Sequence, residues 1–207
     1  MLNKRTLERW CMPATETGPF LRPFVARGPL TPGGAIIVGV NPATSIGAAD
    51  GVAFDDYTAS LTAIERFLPI YNRVRAQRGK TRPSKARIGL DAASKWLADS
   101  GFETVLDTNI SPYPTSKESE WRRLSEKERA FWVFGEIIES FRPALVLLHG
   151  RSAYERFIET YAPDLRQSGL FSEIVDRQPY LGRVTWRHGG SAQVFISRHH
   201  YCPNVAR

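Results

Sequence analysis

Only two cysteines, Cys11 and Cys202, occur in the 207 residues, and they lie near opposite ends. Neither has a CxxC neighbour and no His/Cys ligand spacing appears, so no structural zinc or other metal site is expected. Two such cysteines read more readily as reduced thiols of a cytoplasmic protein than as a disulfide framework. No apolar run approaches the roughly 18 residues of a membrane span. The start, Met1-Leu2-Asn3-Lys4-Arg5-Thr6, lacks the apolar stretch of a secretory signal. Several familiar chemical signatures are missing too. There is no G-x-S-x-G elbow, no GxxxxGK[ST] phosphate loop and no GxGxxG, because Gly33-Gly34 precedes a strand instead of following one. No cofactor is expected.

What is abundant is positive charge and apolar bulk. Lys and Arg number 28 against 21 Asp and Glu, a net charge of +7, and most of the cations are Arg. The forked guanidinium suits phosphate, so this balance favours a polyanionic partner such as nucleic acid. With 42% hydrophobic residues, five Trp and eleven Phe, one domain can bury a full core unaided.

Residues 1–34 are punctuated by Pro13, Pro23, Pro29, Pro32 and Gly33-Gly34, with a short helical pattern near Thr6–Cys11. This stretch reads as an N-terminal arm packed on a domain formed by residues 35–207. Within that domain, apolar runs at 35–40, 103–109, 144–148 and 192–197 predict four strands. Helical periodicity is predicted over 60–77, 89–100, 118–141 and 152–161. Residues 171–186 are the least regular, with room for an extra strand or hairpin. Alternating strands and helices predict an α/β fold: a three-layer α/β/α arrangement around a central, mostly parallel, four-stranded sheet.

Each strand exits directly into polar groups: Gly39-Val40-Asn41-Pro42, Asp107-Thr108-Asn109, His149-Gly150-Arg151-Ser152 and Ser197-Arg198-His199-His200. Parallel strands would bring these exits to one edge, where α/β proteins bind ligands. Singly, each residue is ordinary, since Asn after a strand usually forms a turn. Jointly they make a site of amides, imidazoles and arginine without a nucleophile–base pair.

This ordered set resembles the uracil-DNA glycosylase superfamily. Gly39-Val40-Asn41-Pro42 is similar to the first motif of its mismatch-specific and single-strand-selective branches. Asn109 resembles the base-recognising Asn, Leu147-Leu148-His149-Gly150-Arg151-Ser152-Ala153 the apolar strand followed by G-x-x-A, and the segment at His199 the second motif. The likeness covers about residues 35–205 as short islands. It departs from the family in Ala43-Thr44-Ser45 after the turn, in His199-His200-Tyr201-Cys202-Pro203, where either histidine fits, and in lacking the Gln-Asp-Pro-Tyr-His form. The resemblance implies a monomeric DNA glycosylase acting on single- or double-stranded DNA. Asn41 and His199 would be catalytic, and Asn109, Tyr57, Phe54, Gly39, Pro42 and His200 would bind the flipped base. Arg198, Arg151, Ser152, Lys117, Tyr201, Arg82 and Lys85 would contact DNA. The acids near the turn, Asp50, Asp55 and Asp56, read as water activators or as caps of the next helix. Small residues after the turn (Ala43, Gly47, Ala48, Ala49, Gly51) predict a roomy pocket for a damaged or bulky modified base, such as the modified pyrimidines of some phage DNAs. Two other readings stay open: a nucleic-acid-binding protein without chemistry on the same fold, and an unrelated α/β enzyme for a phosphorylated small molecule.

Overall fold

The computed structural model describes residues 2–198. Six strands form one sheet: β1 (Phe24–Arg27), β2 (Ala35–Gly39), β3 (Val105–Asn109), β4 (Leu145–His149), β5 (Tyr180–Thr185) and β6 (Ser191–Ser197), in the order β1-β3-β2-β4-β6-β5. The central four run parallel, as the alternation of strands and helices predicts. The expected four-stranded sheet is corrected to six by two antiparallel edge strands. β1 is hidden in sequence because it has four residues, hemmed by Pro23 and by Gly28-Pro29. β5 is masked by Gly182 and a register shift between Tyr180 and Gly182. Gly182 has φ 140°, outside the usual range of L side chains, so the irregularity belongs to the sequence.

Nine helices decorate the sheet among the described residues: α1 (Lys4–Cys11), α2 (Phe54–Ser60), α3 (Ile64–Gln77), α4 (Lys85–Asp99), α5 (Glu118–Arg123), α6 (Glu126–Arg129), α7 (Phe131–Phe141), α8 (Arg151–Tyr161) and α9 (Phe171–Arg177). The single helix expected over 118–141 is three. Leu124 turns extended, Ser125 and Glu128 restart the helix with a reciprocal capping box, and Ala130 takes a left-handed φ of 47°. The helix expected over 60–77 begins at Ile64, behind the separate α2.

Strand alternation divides the core. Ile36, Val38, Leu106, Val146, Leu148, Val194 and Ile196 face the large cluster, which holds the buried side chains of α1, α3, α7 and α8. Ala35, Ile37 and Val105 face a smaller cluster to which, among the helices of the described residues, only α4 contributes. Among the described residues the third layer is therefore one helix, and Leu145, Leu147 and Phe195 are half-buried.

The arm is no appendage. It supplies β1 to the sheet and Trp10 to the large cluster. Trp10 is wholly buried, packs edge-on against Phe24 at 6.4 Å, and donates its indole N–H to Glu136 on α7 at 2.7 Å. Arg9 pairs with the same carboxylate. Replacing Trp10 with Ala is expected to cost about 3–5 kcal/mol in urea unfolding, the range for a buried aromatic. Trp96→Ala on exposed α4 surface should stay within about 0.5 kcal/mol.

Candidate active site at the carboxyl edge

Register brings the strand exits together. Gly39 stands opposite Asn109 across β2 and β3, and His149 opposite Ser197 across β4 and β6. The pairing continues past the strand ends: Ile110 N–H donates to Gly39 O at 3.0 Å, Ser111 N–H to Val40 O at 2.9 Å and Thr115 N–H to Pro42 O at 2.9 Å. The turn after β2 is thus zipped to the loop after β3. His149 is buried, its Nδ1 lying 3.2 Å from Ser197 Oγ.

Asn41 is held closely. Its Nδ2 donates to Thr115 Oγ1 at 2.7 Å, to Thr115 O at 3.3 Å and to Pro42 O at 3.3 Å. Asn109 is placed differently. Its Oδ1 lies where a side chain on Gly39 would go, 2.7 Å from an ideal Cβ there. Gly39 is needed for that close approach.

Beneath Asn109 an ion cluster around the buried Arg87 braces β3. Arg87, in the first turn of α4, donates to Asp107 at 2.6 Å and forms an ion pair with Asp91 at 2.8 Å. Burial works against the Arg87 charge, but the two carboxylates outweigh it and its pKa stands above the ordinary value. Burial raises the pKa of Asp91. Removing one member of such a group leaves an uncompensated buried charge.

Next to Asn41, across Thr115, opens a cavity of about 720 Å³. Its walls come from the arm (Glu16, Phe20), the loop after β2 (Gly47, Ala48, Ala49) and the loop after β3 (Tyr113, Thr115). Three of the small residues noted in the sequence therefore line it. Arg78 at the end of α3 ties the loop down, donating to Ser45 Oγ at 3.0 Å and Asp50 Oδ1 at 2.6 Å. Asp50 Oδ2 accepts from Gly47 N–H at 2.9 Å, so this acid holds the loop in shape. Asp55 and Asp56 lie in the first turn of α2, where negative charge suits the helix dipole. Tyr113 ionises above its usual pKa, through burial and then the charge of Glu128.

One aromatic assignment changes. Tyr57 is in the core, 1% exposed, its hydroxyl donating to Leu21 O at 3.2 Å, so it is not available to stack on a ligand. Burial pushes its pKa up. Phe54 is half-buried and meets Phe20 edge-on at 5.3 Å. Phe20, which also contacts Tyr57, lines the cavity together with Tyr113. Nothing in its local sequence singles it out; it comes from the arm.

The basic candidates Arg82, Lys85, Lys117, Arg151 and Arg198 are all exposed and all lie in or beside connections at this edge. Arg151 pairs with Glu155 at 2.7 Å and Arg198 with Asp176. Ser152 is half-buried in the first turn of α8. Pro42 accepts from Thr115 and from Asn41, as given above. His199, His200 and Tyr201 lie outside the described residues.

Gly39→Ala tests the close approach. Asn109 Oδ1 is the movable end of a side chain, so stability should change by less than about 1 kcal/mol. The side-chain amide resonances of Asn109 should shift; if they stay in place, Gly39 does not position Asn109.

No protein-family model matches this chain, and no curated protein matches it.

Proposed function

We propose that the protein is a monofunctional DNA glycosylase, which hydrolyses the N-glycosidic bond of a flipped-out base and leaves an abasic site. The observation that carries this reading is the zipped carboxyl edge, where Asn41 and Asn109 stand on adjacent parallel strand exits. The ordered resemblance of these exits to the uracil-DNA glycosylase superfamily supports it.

The chemistry asks for little acid or base strength. The C1′–N bond breaks, the electron pair leaves with the base, and the sugar gains oxocarbenium character. A water oxygen then bonds to C1′ and its proton ends on the departing base. Asn41 accepts a hydrogen bond from that water and so places it at C1′. Asn109 pairs with the edge of the extruded base. In this scheme His199 donates to the base oxygen on which charge collects.

The adjoining cavity favours a base larger than uracil. Its volume falls within the ~300–1,000 Å³ of pockets that enclose drug-sized ligands. Gly47, Ala48 and Ala49 leave the wall thin, and Phe20 offers a ring face or edge.

The test is base release from single- and double-stranded oligonucleotides carrying uracil, 5-hydroxymethyluracil, a glycosylated 5-hydroxymethylpyrimidine or hypoxanthine, read as alkali-labile sites. Release should favour the bulkier bases, and exclusive action on uracil contradicts the roomy pocket. Asn41→Ala should lose about 10²–10³-fold in rate, the scale for removing one preorganised polar group. Equal rates for this variant and the wild type would refute the mechanism. DNA binding that survives Asn41→Ala, with no base released from any substrate, would make the chain a binding protein.

The five edge cations generate a separate expectation. Replacing both Arg82 and Lys85 with Ala should weaken binding to all sequences alike and reduce the log K against log salt slope by about two, one per lost phosphate contact. An unchanged slope would remove this connection from the DNA interface.

A further inference from the structure

The hydrogen bonds around Asn41 contain more information than its position. Three oxygens surround Nδ2: Pro42 O, Thr115 O and Thr115 Oγ1. Two of these are carbonyls and can only accept. The third is a hydroxyl whose single proton has another destination, since Thr115 Oγ1 donates to Lys117 O at 3.0 Å. All three therefore accept from Asn41. The opposite amide orientation would set Oδ1 against two carbonyl oxygens and a hydroxyl already committed as a donor elsewhere. The nitrogen end of Asn41 must face Thr115, and Oδ1 must face away, where it makes no hydrogen bond to another described residue.

We infer that Thr115 is the positioning residue of Asn41: the relay from Asn41 Nδ2–H to Thr115 Oγ1, and from Thr115 Oγ–H to Lys117 O, makes Asn41 present an acceptor and no donor to its ligand. The consequence for catalysis rests on the base-excision reading above; the geometry does not. An acceptor-only amide accepts a hydrogen bond from a bound water and leaves the water oxygen's lone pair directed elsewhere, as attack on C1′ requires. A freely turning amide would offer its N–H to that lone pair for part of the time and hold the water the wrong way round. Thr115 touches neither water nor sugar in this scheme. Its backbone N–H, bonded to Pro42 O at 2.9 Å, fixes the loop from the other side.

Two variants and two readouts test this. Thr115→Val keeps the shape and removes the hydroxyl; Thr115→Ser keeps the hydroxyl. The first readout is the side-chain NH2 pair of Asn41 by NMR, assigned by its loss in Asn41→Ala. In the wild type and in Thr115→Ser these protons should exchange slowly with water. In Thr115→Val they should shift and exchange faster. The second readout is base release from the best-cleaved oligonucleotide of the panel above. Thr115→Val should lose tenfold or more in kcat with KM little changed, and Thr115→Ser should recover most of it. An Asn41 amide indifferent to Thr115→Val overturns the positioning role whatever the activity. An altered amide with an undiminished rate overturns its catalytic consequence. A wild type that releases no base defeats the glycosylase reading and with it that consequence, while the amide signals still decide the orientation.

Discussion

Everything at the carboxyl edge depends on the register of β2 between β3 and β4. Side chains alternate along a strand, so a slip of one residue would turn Gly39 and Asn109 to opposite faces of the sheet. Burial on both faces prevents this. Ile36 and Val38 are committed to the large cluster, Ala35 and Ile37 to the small one, and neither set can exchange places without loss of packing. Backbone bonds from Ile110, Ser111 and Thr115 carry the same register beyond the sheet into the two loops that hold the amides.

The electrostatic support of this edge is arranged in depth. At the surface, cations sit on or beside loops, several already paired with acids. Beneath them, Arg87 is shared between Asp107 on β3 and Asp91 on its own helix. That cluster anchors the start of α4 at Asp107, two residues before Asn109, so this helix is secured close to the site. The basic connection holding Arg82 and Lys85 leads directly into this helix.

Much of this was legible in the sequence, for reasons that particular residues make plain. The four central strands are buried on at least one face, and their apolar runs end abruptly in Asn, His or Arg, which marks both the strands and their shared edge. β1 and β5 lack that contrast. Four residues between prolines and a strand containing Gly182 do not rise above the irregular segments around them. The break in the 118–141 region was hidden because apolar spacing from Trp121 to Phe141 continues across it, although Ser125 and Glu128 carried a capping signature. Tyr57 follows the first motif in the chain, but that order says nothing of which way its side chain points, and it points into the core. Thr115 and Phe20 could not be found from sequence: each reaches the site through contacts between segments distant along the chain, and a lone Thr or Phe in an irregular stretch carries no local sign of such a partner.

The thin wall of the cavity has an evolutionary side. Gly47 has an extended backbone that any residue adopts, and a Cβ there would meet Pro19 Cα at 3.4 Å, ordinary contact or slightly closer. Ala48 and Ala49 lie exposed on the same short helical turn, held by Asp50 and Arg78. Single substitutions in this turn can thus thicken or thin the wall while the amides on the strand exits stay where they are. On the proposed base-excision reading, ligand size and bond-breaking chemistry are separable traits in this architecture, and selection can change the first one residue at a time without putting the second at risk.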